Sequence, residues 1–153
     1  MYFLLFFIIG FYLRYLWVTR QSISGDYLTR FFLVPNNRYR NFYLHVYTGS
    51  DDDRALHDHP WDSVSFLLWG NLVEVTSVDH EDGIFYKERI MPLLPFFRDA
   101  EYSHRLELRS KFAVTIFITK KKRRKWGFWC GKRWVFWKDF VDKETGGLGK
   151  GCG

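Results

Sequence analysis

From Tyr27 onward the apolar residues fall in short alternating runs, cut every few positions by Gly, Asn, Asp or Pro, a pattern that excludes any architecture built on long amphipathic helices. The runs predict strands at residues 42–47, 64–69, 72–76, 85–90, 93–97, 105–108, 112–119, 125–129 and 133–137. Gly70-Asn71 reads as a hairpin turn between the second and third of them. So many short strands, with no long helix after residue 27, argue for an antiparallel barrel or sandwich. A chain of 153 residues has room for one core. Aromatic residues make up 21% of it, and these bulky, strand-favouring side chains suit a β-rich interior. An apolar share of 47% with 26% charged residues excludes wholesale disorder and a multi-span membrane protein.

The two ends differ from this middle. Residues 1–18 are almost wholly apolar, with Arg14 as the single charge, and lack the basic start and small-residue cleavage point of a secretory signal. Three readings stay open: a helix or strand packed on the domain or a partner, a membrane anchor, and a leader that matters little to the fold. The chain thus divides into an apolar N-terminal segment (1–26), a barrel (27–140) and a flexible Gly-rich tail (141–153). Cys130 and Cys152 are the only cysteines and one lies in that tail, so the expectation is no disulfide framework and a reducing, cytoplasmic setting. Cys pairs at zinc-ribbon spacing are absent.

The sharpest local feature is His57-Asp58-His59-Pro60-Trp61. On an extended chain, imidazoles at i and i+2 share a face about 7 Å apart at the backbone, close enough to hold one divalent ion. Neutral imidazole ligates zinc, iron, nickel or copper. His104, which opens the alternating segment His104-Arg105-Leu106-Glu107-Leu108, is the candidate third ligand, and Asp62 or Glu74 could add a carboxylate. Arg54 and Arg105 flank the histidines and could draw a small anion toward the metal, while Tyr102 is a candidate acid or orienter. His45 reads as packing between two tyrosines, and His80 lies in a charged loop.

These residues resemble a cupin, the small jelly-roll barrel that holds one metal ion inside. In that pattern a first motif supplies two His and a Glu followed by Gly, and a second supplies a further His. His57, His59, Gly70 and His104 match, whereas the Glu position falls on Ser63, Asp99-Ala100-Glu101 replaces the Pro-x-Gly, and Leu108 replaces the later Asn. Residues 54–61, 104–108 and 126–129 also look like uncharacterised cupin-like proteins of phages and bacteria, a likeness covering roughly residues 27–140. The resemblance implies an all-β, cupin-type antiparallel jelly-roll barrel with an apolar N-terminal extension. It implies Fe2+ or Zn2+ held by His57, His59 and His104, as in the three-histidine sites of thiol dioxygenase cupins, and pairing as a homodimer through edge strands. A 2-oxoglutarate oxygenase would carry Asp where His59 stands, so that reading is set aside. The implied function is a metal-dependent, oxygenase-type enzyme acting on a small anionic molecule.

The charge pattern supports an alternative. The chain carries a net +6, concentrated in Lys120, Lys121, Lys122, Arg123, Arg124 and Lys125, followed by Trp126. Placed at the turn after the apolar run 112–118, these residues could bind phosphate backbones while Trp126 stacks on a base, which would make the domain a non-enzymatic module for nucleic acid or a host protein.

Overall fold

Inward and outward positions alternate along the strands, and that alternation sets which sheet faces close over the interior. The computed structural model describes residues 2–23, 27–51, 55–77, 85–142 and 149–152. An N-terminal helix α1 (Tyr2–Thr19) precedes the strands β1 (Gln21–Ile23), β2 (Leu28–Phe32), β3 (Asn41–Tyr47), β4 (Leu56–His57), β5 (Ser63–Trp69), β6 (Leu72–Thr76), β7 (Tyr86–Arg89), β8 (Pro95–Arg98), β9 (His104–Leu108), β10 (Ala113–Thr119), β11 (Gly127–Cys130) and β12 (Arg133–Phe136), and a short helix α2 (Trp137–Phe140). Two six-stranded sheets form, in the orders β1-β2-β3-β10-β5-β8 and β12-β11-β4-β9-β6-β7, with every named strand pair antiparallel. On β3 the residues Asn41, Tyr43, His45 and Tyr47 are buried, and on β10 Ala113, Thr115, Phe117 and Thr119. Polar groups stand among them, so the interior is a chamber with polar groups set in a mainly apolar wall, to which the packed cluster of Leu28, Tyr47, Leu67, Leu72 and Ile90 contributes. Phe140 stacks on Phe128 with ring centroids 3.8 Å apart.

Two turns differ from expectation. Gly70-Asn71 is not a hairpin: β5 pairs with β10 and β8 while β6 pairs with β9 and β7, so the link crosses from one sheet to the other. Gly70 takes φ +93, and a Cβ there would lie 2.5 Å from the Phe112 carbonyl oxygen, so the glycine serves a close crossing. The basic run likewise joins β10 to β11 across the sheets and is not a hairpin tip. Local sequence signals a reversal of direction, but whether the next strand stays in the same sheet depends on pairing with distant strands.

The cysteine expectation is corrected. Cys130 and Cys152 form a disulfide with Cα atoms 5.3 Å apart. The tail folds back because Gly149 and Gly151 donate their N–H groups to the Phe140 carbonyl, and Arg133 donates to the Cys152 carbonyl at 2.7 Å. Residues 149–152 are therefore tethered, and the cysteine-based ground for a reducing compartment falls away. Closing a loop of this length is expected to contribute about 3 kcal/mol. Cys152→Ser should lower the urea midpoint accordingly, as should reductant on the native chain; coincident curves would show that the bond contributes nothing.

At the other end, α1 meets the domain chiefly at β2, where the Tyr12 hydroxyl donates to the Leu33 carbonyl at 2.8 Å. Phe6, Phe7, Phe11, Leu13, Trp17 and Val18 are exposed. Among the described residues no helix is long and apolar enough to cross a membrane. The sheet begins before residue 27, since β1 pairs with β2 and Ile23 packs on the core.

Candidate metal centre

Antiparallel register brings the distant histidines together. His57 on β4 lies directly opposite His104 on β9, so both side chains leave the same sheet face. His59 follows two residues after His57 and is anchored by its N–H to the Ala100 carbonyl at 3.0 Å. The three ring centroids form a nearly equilateral triangle with sides of 5.1, 5.0 and 5.1 Å. One ligand atom from each ring lies within 4.8 Å of the others, and the Nε2 atoms of His59 and His104 are 2.9 Å apart. Imidazole nitrogens at about 2.0–2.1 Å from a shared ion sit close to such separations, so this donor set fits a divalent metal. No carboxylate joins the cluster among the described residues.

The surrounding groups set the protonation. Burial drives the His59 pKa well below its usual range, with the neighbouring imidazoles adding to the shift. Burial also lowers His104, to about 4, against the opposing pull of Glu74. Glu74 contacts His104 Nδ1, so that nitrogen carries the proton and Nε2 is left free for a metal. Burial acts to raise Glu74, but the His104 N–H and the Arg98 charge outweigh it and hold the carboxyl down at about 2. Arg98 donates from Nε to Glu74 at 2.6 Å and from a terminal nitrogen to Ser65 Oγ at 2.7 Å.

These neutral imidazoles imply a pH dependence. An unfolded histidine takes up a proton near pH 6.5, whereas folded His104 resists until about 4. The stability is fully present above pH 6.5 and is lost as pH falls through 4. Urea midpoints of chelator-treated protein should therefore fall between those limits, and a flat profile would reject the neutral assignment.

Asp58 holds the two-histidine segment in place. It is 1% exposed. Its Oδ1 accepts the Gly127 N–H at 2.7 Å, and its Oδ2 accepts Trp134 Nε1 at 2.9 Å and pairs with Arg124 at 2.9 Å. The segment is thereby fastened to the β11–β12 hairpin.

The remaining candidates separate. Asp62 lies at the surface, bound to Arg123 and the Ala100 N–H, and Glu74 stands behind His104; neither joins the ligand set. Tyr102 is 36% exposed; its hydroxyl reaches Glu74 at 3.5 Å and its ring meets the His104 ring edge-on with centroids 5.8 Å apart, so it stands behind the centre beside that carboxylate. Arg105 does not line the cavity and pairs with Glu107 at 3.1 Å, because alternation along β9 sends it to the opposite face from His104. Arg54 and His80 lie outside the described residues. Half of the basic run is paired with acids: Arg123 binds Asp62 and Glu101, Arg124 binds Asp58, and Lys120 lies 3.8 Å from Asp62. Trp126 stacks on Trp137 with centroids 5.6 Å apart and lines the cavity wall. Sequence reasoning missed Arg30, Arg98 and Asp51, which also line the cavity; a single charged residue in a strand carries no local signal of facing inward.

No family model matches the chain, and no curated protein matches it by sequence. Solved structures do. A hydroxypropylphosphonic acid epoxidase from S. wedmorenis aligns over 67% of this chain and 56% of its own, at 15% identity and a TM-score of 0.52, so the chain spans little more than half of that protein. A sugar phosphate isomerase of the cupin superfamily from Silicibacter pomeroyi aligns over 71% and 75%, at 14% identity and 0.54. A cupin superfamily protein from Desulfitobacterium hafniense aligns over 67% and 84%, at 12% identity and 0.50. The two packed antiparallel sheets, the inward histidines and these three likenesses agree that the chain has the cupin fold.

Proposed function

We propose that the protein is a metal-dependent enzyme of oxygenase type acting on a small anionic molecule, with ferrous iron ahead of zinc as its ion. The observation that carries this reading is the convergence of three imidazoles, that of His104 buried and those of His57 and His59 half-buried, on the wall of a cavity of about 360 Å³. A bound divalent ion supplies Lewis acidity, and ferrous iron supplies oxygen chemistry. Three neutral ligands leave the charge of the ion uncancelled, which favours direct attachment of an anion. Glu74 fixes the His104 tautomer, Tyr102 backs Glu74 as a positioning residue, and Phe117, Trp126 and Phe128 contribute aromatic walls to the cavity. Two structural neighbours support the reading by their names, which refer to a phosphonic acid and a sugar phosphate, and the epoxidase has been solved with Fe(II).

Protein stripped of metal and reloaded without oxygen should bind one ferrous ion per chain and take up oxygen only with a small carboxylate, phosphate ester or phosphonate present. Elemental analysis showing no stoichiometric ion would overturn the metal site. Stoichiometric iron with no oxygen uptake across that panel would overturn the oxygenase assignment.

A further inference from the structure

Across the chamber from the three histidines stands a guanidinium without a carboxylate. Arg30 projects from β2 directly opposite His45 of β3, and both line the cavity. Its Nε donates to His45 Nε2 at 3.0 Å, and its guanidinium carbon lies 4.7 Å from the Tyr43 ring centroid. Arginine has no acceptor, so His45 Nε2 must offer its lone pair, leaving the His45 proton on Nδ1, 3.4 Å from the Tyr47 hydroxyl. Each of the other arginines around the centre is matched: Arg98 by Glu74, Arg105 by Glu107, Arg123 by Asp62 and Glu101, Arg124 by Asp58. Among the described residues Arg30 has no acid within ion-pair distance; the groups around its charge are Tyr43, Tyr47 and Tyr27. A half-buried cation without a counterion, held by one nitrogen with its two terminal NH2 groups uncommitted, is poised for a planar, two-point contact with an oxyanion.

The spacing suits a small ligand. Phe117 stacks on His45 with centroids 5.1 Å apart and touches His59 at 6.1 Å, so one phenyl ring separates the Arg30–His45 pair from the histidine cluster. We infer that the cavity is two-ended, with Arg30 binding the oxyanion group of a short substrate whose other end faces His57, His59 and His104. The anion-docking role expected of Arg105, which does not line the cavity, thus passes to Arg30. The inference rests on the metal-site reading for the far end of the ligand, but the Arg30 end can be measured without metal.

Inorganic phosphate, methylphosphonate and acetate are titrated into metal-free and zinc-loaded full-length protein, followed by calorimetry and by the fluorescence of Trp61 and Trp126, which line the cavity. Arg30→Gln should weaken binding of the preferred anion by about 10- to 100-fold in both forms. Arg30→Lys, which keeps the charge and loses the fork, should fall between. Preference for acetate over the phosphorus oxyanions marks a carboxylate substrate, and the reverse order marks a phosphate or phosphonate. Should the glutamine variant fail to fold, the Arg30 Nε–H resonance of the native protein must shift on titration with the preferred anion. Equal affinities in native and variant chains, or an unmoved resonance, would overturn the inference even with the ion bound one-to-one. Anion binding that depends on Arg30 in a chain holding no metal would sustain this end of the cavity and overturn only the metal reading.

Discussion

His104→Ala is expected to abolish one-to-one metal binding, and Glu74→Gln to weaken it by about 10- to 100-fold. The reason is geometric. His57 and His59 come from one segment, and only β9 can bring a third nitrogen to them, through the register that sets His104 opposite His57. The His104 ring is aimed by its contact with Glu74, which is itself held by Arg98. Alanine removes the donor atom, whereas glutamine leaves the donor in place, weakens what fixes its tautomer and direction, and takes from Arg98 its charge partner. Competition titration with a chromophoric zinc chelator, with circular dichroism as the folding control, separates the two cases. Native-like affinity in His104→Ala would show that the cluster does not hold the ion.

Asp58→Ala should cost about 3–5 kcal/mol of folding stability, the range for removing one partner from a buried charge pair. The carboxylate satisfies donors from β11, β12 and the connection before them, and its loss would leave the Trp134 N–H and the Gly127 N–H unpaired and Arg124 with only Glu101, at 3.8 Å, as a charge partner. Arg124 keeps a contact with the Ala100 carbonyl at 3.0 Å, which limits the damage. Because Asp58 sits between the two histidines, metal affinity should fall along with stability. Urea unfolding of the metal-free variant provides the check. A loss below about 1 kcal/mol would mean that the segment is held by its strand pairing alone.

Strands were readable wherever alternation was long enough to show. The predicted 72–76 coincides with β6, and 42–47, 64–69 and 112–119 differ from β3, β5 and β10 by one residue at the N-terminal end. Short pieces escaped: β1 and β4 span three and two residues, too few to establish a period, and the five-residue β2 was missed as well, because Phe31 and Phe32 are adjacent and break the alternation. The histidine trio was legible because His-x-His on an extended chain constrains its own geometry, and His104 opened the next suitable strand. Asp58 read merely as the spacer between them. Its role depends on Arg124, Gly127 and Trp134, all far along the chain.

Period-two patterning carries burial information within each strand, and so the residues alone sufficed for the all-β class, the inward faces and the imidazole cluster. Strand order, the sheet-to-sheet crossings at Gly70 and after β10, the Cys130–Cys152 bond and the unmatched Arg30 were settled only in three dimensions. Alternation tells each side chain which face to take but not which partner waits there. Partners are chosen by pairing and charge balance among segments that are neighbours only once the barrel has closed.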